Sequence, residues 1–104
     1  MMAEILLVEP KSMDAKEARA LADHLAEVLG LQHHEVALGQ DDFHRYYPFE
    51  RSWQGWAAGA AARHARVVIY GYPNEEGRGA RRVVRAARSA RKPLCWWDGT
   101  LFYS

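Results

Sequence analysis

Short apolar runs at residues 4–8, 67–70 and 93–97 alternate with longer segments of helical periodicity. Each run is four or five residues long and ends at turn-forming residues, which suits strands buried on both faces of a parallel sheet. Residues 34–38 supply a further strand. Asp14, with Glu17 three residues on, has capping-box spacing, Ser12 being an alternative cap, and predicts a helix to about Leu29 closed by Gly30. In that helix Ala18, Leu21, Leu25 and Val28 share a stripe opposite Lys16, Arg19, Asp23 and Glu27. A second helix is predicted from Trp53 to about His64, with Ser52 as cap and Arg63 and His64 suited to its C-terminal end. A third runs from about Gly79 to Ala90. Its Ala80, Val83, Val84, Ala87 and Ala90 form one arc, and Arg78, Arg81, Arg82, Arg85, Arg88 and Lys92 form the other.

The order is β-α-β-α-β-α-β, with no repeat or linker. It predicts one α/β domain over residues 1–104, a small Rossmann-like parallel sheet of flavodoxin-like order 2-1-3-4 flanked by helices. Ligands in such sheets bind beyond the carboxyl ends of the strands, at the switch between the first and third. That rule puts residues 9–12 and 72–79 at the mouth of the site, with Asp98 and residues 39–52 on its rim. The segment 39–52, GQDDFHRYYPFERS, shows no clear period and reads as a long irregular connection, a binding loop or lid.

Composition narrows the class. Apolar residues make up 49% and charged residues 26% of the 104, ordinary for a globular chain and unlike a disordered one. No apolar run reaches the roughly 18 residues of a membrane span. The first eight residues read as a strand rather than a signal peptide. The single cysteine, Cys95, is expected to be an inert buried residue without an internal disulfide, consistent with a reducing cytoplasm. The net charge of +1 conceals an asymmetry: residues 1–52 hold five basic and ten acidic residues, and residues 53–104 hold nine basic and three acidic. Seven of the cations fall between Arg78 and Lys92.

The most informative chemistry is Gly77-Arg78-Gly79, set between a strand and a helix. Glycines admit close backbone approach, and free N–H groups of a first helical turn favour an anion such as phosphate. Glu75 and Glu76 oppose a bare phosphate there unless they point away or hold ribose hydroxyls. The stretch from Gly77 to Val83, with Lys92-Pro93-Leu94 beginning thirteen residues beyond Gly79, resembles the C-terminal half of the SLOG and nucleoside deoxyribosyltransferase-like Rossmannoid superfamily. Those proteins carry a G-x-G-T-x-x-E turn and then a G-K-P-V-like strand entry. The resemblance spans residues 67–97. It implies that the turn cradles the phosphate or sugar of a nucleotide-derived ligand, while a glutamate acts at the N-glycosidic bond in catalytic members. Here Ala80 stands at the threonine position and Val83 at the glutamate position.

A valine is neither nucleophile nor base, so cleavage would require Glu9, Asp41 or Asp42 as the acting carboxylate. The expected function is therefore binding of a nucleotide- or nucleoside-derived small molecule; the alternatives are N-glycosidic hydrolysis or transfer, and non-enzymatic binding of a macromolecular partner through the basic helix face or the aromatic loop. Gly77, Arg78 and Gly79 would hold phosphate or ribose, with Tyr72, Asn74 and Glu76 on the same turn. Glu9 and Lys11 would close the opposite side, His44 and Arg45 would cover the ligand, and Asp98 would sit on the rim. No cofactor is expected.

Three further surfaces bear on partners. The arginine arc suits phosphates and would make nucleic-acid binding salt-dependent, although a solvated helix face explains it more simply and no nucleic-acid motif is present. Phe43, Tyr46, Tyr47, Phe49, Trp53 and Trp56 suit base stacking, a folded core or a contact with a partner protein. His24, His33, His34, His44 and His64 lack metal-site spacing, so no metal is expected. The opposed charges of the two halves and the tail Leu101-Phe102-Tyr103 lead to the expectation of a homodimer.

Overall fold

The computed structural model describes residues 3–46 and 52–104. Five strands form one sheet in the order β2-β1-β3-β4-β5: β1 Ile5–Val8, β2 Val36–Leu38, β3 Arg66–Tyr70, β4 Leu94–Trp97 and β5 Phe102–Tyr103. The first four are parallel, in the order expected from the sequence, and β5 turns back antiparallel to β4. The expected apolar tail is thus an edge strand. Leu101 and Phe102 keep exposed side chains there.

Alternation along the strands divides the core into two layers. Ile5, Leu7, Val36, Leu38, Val68 and Trp97 pack against helix α1, Ala15–Leu29. Leu6, Val8, Val67, Ile69 and Trp96 pack on the other face against α3, Trp53–Arg63, and α4, Arg78–Ser89. All four residues of β1 are buried, as a strand covered on both sides must be.

Asp14 caps α1 by accepting the Lys16 N–H at 2.7 Å. Gly30 closes it at φ +70°, a left-handed conformation that glycine adopts without strain. The buried stripe is Ala18, Ala22, Leu25 and Ala26. Val28 is 49% exposed: at 100° per residue it lies about 80° from Ala18, on the margin of the stripe. In α4, Val83, Val84 and Ala87 are buried. Ala90 is exposed because the helix ends at Ser89 and the chain leaves through Arg91 at φ +55°.

Two expectations are corrected. The second strand begins at Val36, because residues 33–35 form a 3-10 turn in which the Glu35 carboxylate accepts the Gln32 N–H at 2.8 Å. Residues 39–46 are helical rather than irregular: α2, Gly39–Tyr46, follows β2 directly. Its own sequence offers no cap. The Glu9 carboxylate, reaching over from the end of β1, accepts the Gln40 N–H at 3.3 Å instead. Asp41 and Asp42 in its first turn, with His44 and Arg45 in its last, also suit the helix dipole. Tyr47 and Phe49 lie outside the described residues. Ser52 caps α3 as expected, accepting the Gly55 N–H at 3.1 Å.

Asp42 is a structural anchor, only 7% exposed. Its Oδ2 accepts Trp56 Nε1–H and Arg63 Nη2–H, each at 2.7 Å, and its Oδ1 lies 3.5 Å from His64 Nε2. The other nitrogen of that imidazole donates to the Ala60 carbonyl at 2.8 Å. Removing one partner of a buried charge cluster strands the rest without solvent. Asp42→Ala should therefore cost about 3 kcal/mol of stability, whereas Asp41→Asn, on the exposed side of α2, should stay within about 0.5 kcal/mol. Urea unfolding checks both; equal midpoints for wild type and Asp42→Ala would refute the anchoring role.

Candidate functional site

Because β1 and β3 are adjacent while their following connections diverge, a crevice opens beyond their carboxyl ends. A cleft of about 710 Å³ occupies it. One wall is Glu9, Pro10 and Lys11, where the chain leaves β1. The opposite wall is Gly77 to Ala80 and Arg82, at the start of α4. Gln40 and Phe43 of α2 and Trp53 of α3 complete it.

The amino end of α4 is open. Its cap, Gly77, has no side chain to offer, and the first turn contains no acidic residue. The first intrahelical bond runs from the Arg81 N–H to the Gly77 carbonyl at 2.9 Å. The N–H groups of Arg78, Gly79 and Ala80 therefore have no acceptor within the helix. Lys11, Arg78 and Arg82 add cationic side chains to the same cleft.

The two glycines of the turn differ in purpose. A Cβ on Gly77 would meet nothing within 4 Å. A Cβ on Gly79 would lie 2.9 Å from Trp53 Nε1, the group that donates to the Gly79 carbonyl. Gly79 thus makes room for an indole of its own protein. Phe43 and Trp53, with ring centroids 5.1 Å apart, give the cleft its aromatic side, and Trp56 packs behind Trp53 at 4.3 Å.

Glu9 is the carboxylate of this cleft. Burial pushes its pKa above the ordinary 4.5, and repulsion from Asp41 adds to the rise. The backbone N–H groups around it, including those of Gln40 and Gly39 at the start of α2, act in the opposite direction without cancelling it. Gly39 permits the approach, since a Cβ there would lie 3.1 Å from Glu9 Oε1.

Of the residues singled out in the sequence, Glu9, Lys11, Gly77, Arg78 and Gly79 line the cleft. Tyr72 and Asp98 instead meet each other: Asp98 Oδ2 accepts the hydroxyls of Tyr72 and Tyr103, both at 3.1 Å. Asp98 Oδ1 accepts the N–H groups of Leu101 at 2.7 Å and Thr100 at 2.8 Å. Those backbone bonds hold its carboxyl below the usual range and fix the turn into β5. Asn74 supplies a left-handed turn residue at φ +68°. Glu76 has one carboxylate oxygen buried without a hydrogen-bond partner. His44 is exposed, its ring beside Phe43. Arg45 lines a separate cavity with Ala3, Arg19 and Asp41, and Asp42 is held in its anchor. Val83 is fully buried in the core.

Gln40 and Arg82 are cleft residues that the sequence did not single out as ligands. The mixed acidic and basic ends of residues 41–45 carried the helical signal that places Gln40, and a period-only search passes over it. Among the described residues, no group of three or more His, Cys, Asp or Glu gathers in a metal-holding arrangement, and no helix is long and apolar enough to cross a membrane.

Two outcomes follow from this geometry. A helical Gly→Ala change normally gains about 1 kcal/mol, but Gly79→Ala should lower the melting temperature because the alanine methyl displaces Trp53. Gly77→Ala, which meets no clash, should cost only the N-cap preference of glycine over alanine, about 0.5–1 kcal/mol. For Glu9, a raised native pKa gives a contribution fully present below the unfolded value and lost as pH rises through the native one. The stability of Glu9→Gln relative to wild type should therefore increase from pH 4 to pH 7. Parallel melting curves across that range check it, and a difference that shrinks with pH would contradict the burial argument.

No family model, curated protein or solved structure matches the chain.

Proposed function

We propose that the chain binds an anionic, ring-bearing small molecule of the nucleotide class in the cleft beyond β1 and β3. The observation that carries this reading is convergence. The open amino end of α4, three cationic side chains and an aromatic wall all border one cavity. Unpaired N–H groups at a helix start and lysine or arginine side chains favour phosphate. Phe43 and Trp53 offer ring surface to a base. The resemblance of residues 77–83 to the SLOG turn agrees with this ligand class.

Glu9 supports a second reading, that the cleft also moves a proton. It is partly buried, its pKa is raised, and it borders the cleft across from the α4 turn, which suits a general acid. N-glycosidic cleavage in this form would break the bond between sugar carbon and base as Glu9 protonates the departing base; water would add to the sugar carbon, and the proton it loses would return to the Glu9 carboxylate. Incubation with nucleoside monophosphates tests it: release of free base that Glu9→Gln abolishes would support the reading, and no release would refute it.

Binding is tested with a panel of nucleoside 5′-monophosphates and diphosphates by thermal shift and calorimetry. Removal of one charge-assisted phosphate contact is worth about 1.5–3 kcal/mol, so Lys11→Ala and Arg78→Ala should each weaken binding about tenfold or more. The unphosphorylated nucleosides should bind more weakly than their phosphates. If no nucleotide shifts the melting curve or gives measurable heat, the reading fails.

A further inference from the structure

We propose that the cleft is the end of a longer phosphate track and that its ligand is a short single-stranded oligonucleotide, a deepening that rests on the nucleotide reading above. A second cavity, about 550 Å³, runs between α3 and α4. Gln54 and four arginines, Arg78, Arg81, Arg82 and Arg85, line it. Arg78 and Arg82 also border the nucleotide cleft, so the two cavities share a wall.

The spacing of these arginines explains the track. Positions 78, 81, 82 and 85 fall at i, i+3, i+4 and i+7, one stripe of α4. Among the described residues no carboxylate pairs with any of them: the arginine ion pairs are those of Arg19, Arg63 and Arg66. Arg82 donates to the neutral amide oxygen of Gln54 at 3.1 Å, which orients the guanidinium and leaves its charge uncompensated. Four unneutralised cations on one groove repel one another unless a polyanion lies among them.

Length and shape select the polyanion. From Arg78 to Arg85 the helix rises about 10 Å, room for about three phosphates of a strand that keeps the stacked rise of about 3.4 Å per charge, and for about two of a more extended one. At the end of the track stand Phe43 and Trp53, which a base can reach only when it is unpaired. An acidic protein segment would match the charge but leave that aromatic wall without a planar partner. A duplex would match the phosphates but keep its bases stacked within itself. A single strand satisfies both ends.

Calorimetry with thymidine 5′-monophosphate and with thymidylate oligomers of two, four and eight nucleotides tests the track, at 50 and 200 mM salt. The four-nucleotide oligomer should bind at least tenfold tighter than the monophosphate at 50 mM salt, with little further gain at eight. Arg81 and Arg85 are exposed and line only the second cavity, so Arg81→Gln/Arg85→Gln should fold normally, as an unchanged melting curve will show. That variant should bind the monophosphate as wild type does and lose the tenfold advantage of the oligomer. Its log–log salt slope should fall by about 1.4, two contacts at about 0.7 each. Oligomers that bind no tighter than the monophosphate would overturn the track and leave the nucleotide cleft standing. Failure of the monophosphate together with every oligomer would overturn both. A thymidylate–adenylate duplex binding as tightly as the single strand, or polyglutamate competing equally well, would also overturn it.

Discussion

Two indole N–H bonds on one face of α3 hold together the half of this molecule that borders the cleft. Trp53 donates to the Gly79 carbonyl at the start of α4, and three residues later Trp56 donates to Asp42 of α2. One helix is thereby fixed to both of its neighbours, and the cleft is the gap left between them above β1. Much else follows from these bonds. Gly79 must lack a side chain because Trp53 occupies that space. Asp42 must be buried because its acceptor oxygens serve Trp56, Arg63 and the edge of His64. The remainder of the buried α3 face is alanine, at positions 57, 60 and 61, which lets the helix lie close to the sheet and brings the indoles within reach of their acceptors.

The electrostatics of the cleft follow from how the acidic residues are used. Asp14 caps α1, Glu9 caps α2, Glu35 closes a turn, Glu4 pairs with Arg66, and Asp98 gathers two tyrosines and two backbone N–H groups. Each serves a structural need. Among the described residues the arginines of α4 have no such counterparts, so a chain whose formal net charge is only +1 presents a concentrated positive face. Salt would screen that field beyond about 10 Å at ordinary ionic strength. It therefore acts mainly on a ligand seated within the two cavities, against the arginines themselves.

Most of the framework could be read from the sequence because it is written locally. The capping Asp14, the closing Gly30, the capping Ser52 and the buried run of β1 each act within a few residues of their own position. The failures have a common physical origin in long-range contacts. Helix α2 receives its cap from Glu9, thirty-one residues away, so no inspection of residues 39–46 alone could find it. The role of Asp42 is similar: its carboxylate is spent on an indole fourteen residues away, and nothing adjacent in sequence distinguishes it from a solvent-facing acid. Asp98 differs, since its bonds to Thr100, Leu101 and Tyr103 stay within five residues and its turn was locally encoded. The place of the glycine turn at the cleft was legible, yet the reason for its second glycine was not, because Trp53 lies twenty-six residues earlier.

Glu9 joins the framework to the chemistry. Its carboxylate caps α2 and lines the cleft at once, so its proton responds to both. Burial favours the neutral acid, and the N–H groups at the start of α2 favour the anion. An anion entering from the α4 side would tip this balance toward the protonated form, since a second negative charge nearby disfavours ionisation. Protonation would in turn weaken the charge-assisted bond that holds Gln40 at the start of α2. Ligand charge, the proton on Glu9 and the anchorage of α2 are thus thermodynamically linked. Any anion bound in this cleft acts on the helix that forms its wall.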